Sequence, residues 1–156
     1  MFLEDNNIEK MYSCYVSEYH LEMILLPFVN QKIENHEEVI IETEQNLENS
    51  LKFLLEKMNL KQENKDKILS LSWNNEDNND RKIKNESNII IIGNKNYIAD
   101  VNKQIMQKNL EDLTIVDCYN FEEIKDDIKS ISEKYDGSLN TSGLKVKKKI
   151  GKIVEI

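Results

Sequence analysis

The side chains of this sequence able to do acid–base, nucleophilic or metal chemistry are few: two histidines, two cysteines and a scatter of carboxylates. His20 follows Glu18 by two residues, a spacing from which an imidazole and a carboxylate can share proton transfer just beyond a strand. A surface histidine opening a helix is the competing reading. His36, beside Glu37 and Glu38, suggests no chemistry. Cys14 and Cys118 form no C-x-x-C pair and read as small buried hydrophobes of a reducing compartment. With the two histidines they make four potential zinc ligands, but zinc sites draw theirs in close pairs, so no metal is expected.

Two further places invite a phosphate reading. Leu113-Thr-Ile-Val-Asp117 has the form of a strand that presents a carboxylate to nucleotide-bound magnesium. The chain holds no G-x-x-x-x-G-K-[ST] loop to bring that nucleotide, so Asp117 reads instead as a strand-end hydrogen-bond acceptor or loop cap. Gly93-Asn94-Lys95-Asn96 follows an isoleucine run and precedes a helix, so its backbone N–H groups are placed to receive an anion. It lacks G-x-G-x-x-G, and a tight-turn role for Gly93 is the plainer reading. G-x-S-x-G, H-E-x-x-H and Cys/His pairings are likewise missing, and no catalytic residue or cofactor is assigned.

The elements that must position these residues alternate along the chain. Short β-rich runs at Met11–Val16, Val39–Glu42, Ile68–Trp73, Asn88–Ile92 and Leu113–Val116 alternate with longer segments of helical spacing. Leu21, Ile24, Leu25, Phe28, Val29 and Ile33 give the first helical face, which Pro27 should kink or divide. Leu47, Leu51, Leu54, Leu55 and Met58 give the second, capped by Asn46. A third face carries Tyr97, Ile98, Val101, Ile105 and Met106. Asn120 and Glu123 make a capping-box-like start for a fourth, with Phe121, Ile124, Ile128, Ile131 and Tyr135.

The isoleucine run reads as a central strand buried on both faces. These alternations predict one α/β domain over 1–156: three layers, α/β/α, on a mostly parallel five-stranded sheet. A polar loop at 74–87, with Ile83 its lone apolar residue, is expected to be mobile. Leu144–Ile156 predicts an edge strand, or a hairpin turning near Gly151.

In such sheets ligands bind beyond the carboxyl ends of the strands. That rule selects Glu18, His20, Glu44, Gly93, Asn94, Asp117 and Tyr119 as candidate ligand-binding residues.

Composition narrows the classes of function. The 20 Asn, 20 Lys and 20 Ile against one Ala, one Arg and one Pro are the signature of AT-rich coding. A net charge of −8 argues against a nucleic-acid binder, since phosphate contact needs clustered Lys and Arg. The charge is uneven: residues 144–156 hold five Lys and one Glu, +4, which leaves −12 on the rest. That tail is a lysine-protected edge or a basic lip for an anion or acidic partner. Met1–Lys10 carries three acids and no apolar core, and no run approaches the roughly 20 residues a membrane span needs, so a cytoplasmic protein is expected.

Leu26-Pro27-Phe28, then Ile33-Glu34-Asn35-His36-Glu37 before a strand, and Cys118-Tyr119-Asn120-Phe121 after one, resemble the MEDS domain. That sensory family is related to the RecA/KaiC-type ATPase core. Its pattern runs "PF", then "G-L-x-x-G-E", then a late strand ending "C-x-Y-D" before Phe. Pro27-Phe28 matches the first; both glycines of the second are replaced; the third is approximated. The resemblance spans Met11 to Tyr135 and implies a nucleotide-free RecA-like fold serving as a ligand sensor or interaction module.

A non-catalytic cytosolic sensory or regulatory domain binding a small ligand or a protein is therefore the leading expectation. A small-molecule enzyme working at the strand ends through Glu18, His20, Asp117 and Tyr119 is a second. An acidic, phage-type inhibitor acting by charge mimicry is a third. Homodimerisation through the C-terminal edge strand is a further expectation.

Overall fold

The computed structural model describes residues 7–75 and 83–147. Strand β1 (Glu9–Tyr15) leads to helix α1 (Glu18–Glu34), β2 (Glu38–Thr43), α2 (Glu48–Glu56) and α3 (Gln62–Leu69). Then follow β3 (Ser87–Ile92), α4 (Lys95–Met106), β4 (Thr114–Asn120), α5 (Phe121–Ile124), α6 (Ile128–Ser132), β5 (Gly137–Asn140) and β6 (Gly143–Val146). The six strands form one sheet in the order β2-β3-β4-β1-β5-β6, parallel except for the antiparallel β5–β6 pair. The α/β class, the mostly parallel sheet and the C-terminal edge strand stand as expected.

Side-chain alternation along the central strands builds two cores. Ile90 and Ile92 of β3, with Val116 and Cys118 of β4, pack with α1, α2 and buried Ile68 of α3 on one face. Ile89 and Ile91, with Ile115 and Tyr119, pack with α4, α5 and α6 on the other. Four successive isoleucines can all be buried only in a strand covered on both sides, which is why this run reads as continuous rather than alternating.

Four expectations need correction. Ile68–Trp73 is not a strand: Ile68 and Leu69 end α3, and Trp73 is buried beyond it with its indole N–H donating to the Ile68 carbonyl at 2.6 Å. The apolar spacing of Ile68, Leu69, Leu71 and Trp73 imitates a strand because a helix end and an irregular return both face the same core. Asp117 does not close its strand; β4 continues through Cys118 and Tyr119 to Asn120, in parallel register with β1 as far as Tyr15. The helix expected from Phe121 to Tyr135 is two short ones, divided before Asp127, whose N–H bonds to the Ile124 carbonyl.

The fourth correction is the strand count: β5, unexpected from the sequence pattern, pairs antiparallel with β6 across a turn between Asn140 and Gly143, and the sheet has six strands rather than five. The Gly151 turn lies outside the described residues. Gly137 is required where β5 enters: a Cβ there would overlap the Lys145 carbonyl oxygen and crowd the Met11 sulfur at 2.9 Å.

Pro27 sits within α1, on its exposed side, and α1 continues past it as one helix. At its end His36 takes a left-handed conformation, φ 59°. Its N–H bonds to the Ile33 carbonyl, and the Glu37 N–H to the Lys32 carbonyl, a Schellman closure. Of the polar run 74–87, residues 76–82 are outside the description, while Ile83 is buried on the second core.

Candidate functional site

The helices that follow β1 and β2 cover one face of the sheet, and those that follow β3 and β4 cover the other. Chain segments thus part to opposite sides at the carboxyl ends of neighbouring strands, the arrangement that opens a ligand crevice in α/β sheets. A cleft of about 480 Å³ lies there. Tyr15 from the end of β1, Glu44 and Gln45 after β2, Gly93 and Asn94 after β3, and Asn120, Glu122 and Glu123 after β4 line it.

The backbone N–H groups expected to attract an anion are engaged by the protein's own carboxylates. Asn94 caps α4, its side chain accepting the Tyr97 N–H at 2.8 Å. Its own backbone N–H donates to Glu44 Oε1 at 2.9 Å, and its side-chain amide to Glu44 Oε2 at 3.3 Å. The Lys95 N–H donates to Glu123 Oε2 at 3.2 Å. Two acids from different strand ends therefore satisfy the positive end of α4, which is where carboxylates are stabilised. Gly93 has a packing reason beside its turn: a Cβ would lie 2.5 Å from Tyr97 Cδ2 and 3.0 Å from Glu44 Oε1.

Asp117 and Tyr119 belong elsewhere, in the core beneath α4 and α6. The Asp117 carboxylate, fully buried, accepts the Tyr135 hydroxyl at 2.6 Å and the Asn102 amide at 3.0 Å, with Lys10 Nζ at 3.5 Å. Because Tyr135 donates to Asp117, the 2.6 Å contact between Tyr119 and Tyr135 is made by the Tyr119 hydroxyl donating. Burial, then the Asp117 charge and hydrogen bond, push the Tyr135 phenol far above its ordinary range. Burial likewise raises Tyr119. A buried carboxylate held this fully is a structural acceptor, and none of these groups lines the cleft.

Glu18 and His20 lie at the two-residue turn between β1 and α1. Ser17 caps α1, its hydroxyl accepting the His20 N–H at 3.0 Å, while His20 Nδ1 accepts the Val16 N–H at 3.0 Å. His20 thus fixes the turn. A phosphate-binding loop in this position would need a glycine-rich span several residues long, where here there are only Val16 and Ser17.

Glu18 instead lines a second hollow, of about 810 Å³, between the start of α1 and α2. Tyr19, Met23, Phe53, Leu54 and Met58 give it an apolar wall. Tyr19 and Phe53, which line it, are each more than 60% exposed. Beneath it Glu22 is buried, accepts the Ser50 hydroxyl and has its carboxyl pushed up by burial.

Of the seven candidates, then, Glu44, Gly93 and Asn94 meet in the cleft, Glu18 and His20 sit at the neighbouring turn, and Asp117 and Tyr119 are in the core. Tyr15, Gln45, Asn120, Glu122 and Glu123 also line the cleft and are not among the seven. The last residue of each strand and the first turn of the next helix carry that signal, because both border the same crevice. No cluster of three or more potential metal ligands occurs among the described residues, nor any helix long and apolar enough to cross a membrane.

Fold and cleft together define a class: an α/β domain with a mostly parallel sheet, covered on both faces, and a ligand-sized crevice at its strand ends. Comparison with protein-family models, curated proteins and solved structures finds no match.

Proposed function

We propose that this chain is a non-catalytic, cytoplasmic sensory or regulatory domain of MEDS-like type, taking a small ligand in the strand-end cleft and a protein partner on the apolar surface of α1 and α2. One observation carries the reading: the β1–α1 turn borders both places. Tyr15 lines the cleft, and the next residues, Ser17, Glu18 and Tyr19, line the apolar hollow. A ligand that moves Tyr15 therefore acts within four residues of the surface a partner would read.

The family resemblance gains support from His36, whose left-handed conformation falls where the MEDS pattern has its second glycine. The test is a coupling measurement. A compound that shifts the amides of Glu44, Asn94 and Glu123 is titrated into the wild type and into His20→Ala, which loses the acceptor for the Val16 N–H. Affinities should differ at least threefold, although His20 lies outside the cleft; equal affinities overturn the coupling. Hydrolysis of ATP or GTP that Glu44→Gln, a substitution in the cleft, abolishes with the fold intact overturns the non-catalytic reading.

A further inference from the structure

We propose that the hollow between α1 and α2 takes a lysine side chain carried on an apolar segment of a partner protein, its ammonium meeting the carboxylate of Glu22. This rests on that surface being the partner site, and it names what the partner must present.

The walls select an apolar segment. Tyr19 and Met23 of α1, with Phe53, Leu54 and Met58 from α2 and its end, line a space of about 810 Å³. Tyr19 and Phe53 leave more than 60% of their surface in water, so a segment laid between them takes two aromatic rings out of solvent at once. Met23 and Met58 are unbranched and shape themselves to whatever side chain enters.

Glu22 selects the cation. It is 2% exposed, yet it lines the hollow. The Ser50 hydroxyl donates to its Oε2, and among the described residues no hydrogen bond reaches Oε1. A carboxylate offers about four acceptor sites, so one bond leaves a buried acid short. That bond ties α1 to α2, and a neutral amide at this position would accept it equally well. The charge is what the tie does not use. Burial, and the charge of Glu18 one turn earlier on the same lining, push the Glu22 carboxyl up, and a cation against it relieves the cost of both.

Lys57, the basic residue on the lining, stands away from this acid. It is exposed on α2's side of the hollow, its Nζ 4.4 Å from the centre of the Phe53 ring. An acidic partner would gain only a water-exposed pair with Lys57 and would set its charge against buried Glu22. Lysine suits the hollow because its four methylenes pass along apolar walls before the charge is reached.

The test is an NMR titration of the full chain with hexylamine and three capped tripeptides: Leu-Lys-Leu, and the same peptide with norleucine or glutamate at its centre. The lysine peptide should shift the amides of Glu22, Ser50, Leu54 and Met58. It should bind about threefold or more tighter than the norleucine peptide, with the glutamate peptide weakest. Glu22→Gln, which keeps an acceptor for Ser50, should bring the lysine and norleucine peptides to equal affinity. A lysine preference that survives in this variant places the cation elsewhere and overturns the assignment; the wild-type comparison decides alone if the variant does not fold.

Norleucine or glutamate peptide binding as tightly as the lysine peptide overturns the lysine and leaves the surface as a partner site. Hexylamine matching the lysine peptide assigns the hollow to a free amine, and shifts of the same amides on concentrating the chain alone put a second copy there. Either result overturns the partner segment. If a broad set of apolar peptides, charged and neutral, leaves these amides unmoved, the assignment and the partner surface fail together.

Discussion

Two sets of carboxylates lie within one domain and are treated oppositely. Asp117 is fully buried beneath α4 and α6, where a tyrosine hydroxyl, an amide and an ammonium surround it. Glu44 and Glu123 stand at the open end of the same sheet, each held by helix N–H groups on one side and bordering the cleft on the other. The difference follows from solvent. A buried acid must have its acceptors met by the protein, because an unmet one costs as much as the bond is worth or more. An acid at a cleft keeps water on its remaining acceptors, and a ligand can exchange with that water. Chemistry that the sequence suggests at Asp117 is thereby spent on holding the fold, while the open acids stay available.

The largest break in this contrast is Asp117→Ala. It leaves the Tyr135 hydroxyl and the Asn102 amide buried without their acceptor, and should cost about 3 kcal/mol or more in urea unfolding. A loss below about 1 kcal/mol would show that the network does not hold the core.

Alkaline pH sharpens the same point. The folded phenol of Tyr135 is raised, so above the unfolded value, about pH 10, the folded state binds more protons than the unfolded one. The contribution of Tyr135 should be level through neutral pH and fall as the pH rises beyond 10. Tyr135→Phe should lose about 1 kcal/mol at pH 7 and flatten that fall; an unchanged slope would place its origin elsewhere.

Glu123→Gln marks the other side of the comparison. Exposed and bonded to a single helix N–H, it should change stability by about 0.5 kcal/mol or less, read by the same unfolding curve. An equally small effect, of the opposite sign, is expected at His36→Gly. Relief of the left-handed strain is offset by the entropy of glycine in the unfolded chain, leaving a gain of about 0.5 kcal/mol in melting experiments.

The fold was legible where side-chain pattern and burial coincide. Ile89–Ile92 announces a central strand, and Leu47, Leu51, Leu54 and Leu55 a helix, because each residue's environment follows from its neighbours in sequence. Legibility failed where distant parts decide. Trp73 is held by a carbonyl five residues back and by a core that α1 and α2 build. β5 holds only Gly137, Ser138, Leu139 and Asn140, too short to carry a period, and exists because β1 offers it an edge.

The site divided along the same line. Glu44, Gly93 and Asn94 were found from their places just beyond strands. Asp117 and Tyr119 read as belonging with them because the apolar run Leu113–Val116 stops four residues short of the end of β4. Asp117 lies within the strand, and its partners Lys10, Asn102 and Tyr135 come from three other segments of the chain. Glu123 reads as a capping-box residue for its own helix, yet its carboxylate serves α4.

The most direct test of a cleft joined to the β1–α1 turn is an amide shift map of the full chain titrated with a compound that occupies the cleft. Shifts at Glu44, Asn94 and Glu123 should be accompanied by shifts at Val16, Ser17 and Tyr19, with the same concentration dependence. Shifts confined to the cleft, with Val16 through Tyr19 unmoved at saturation, would contradict it.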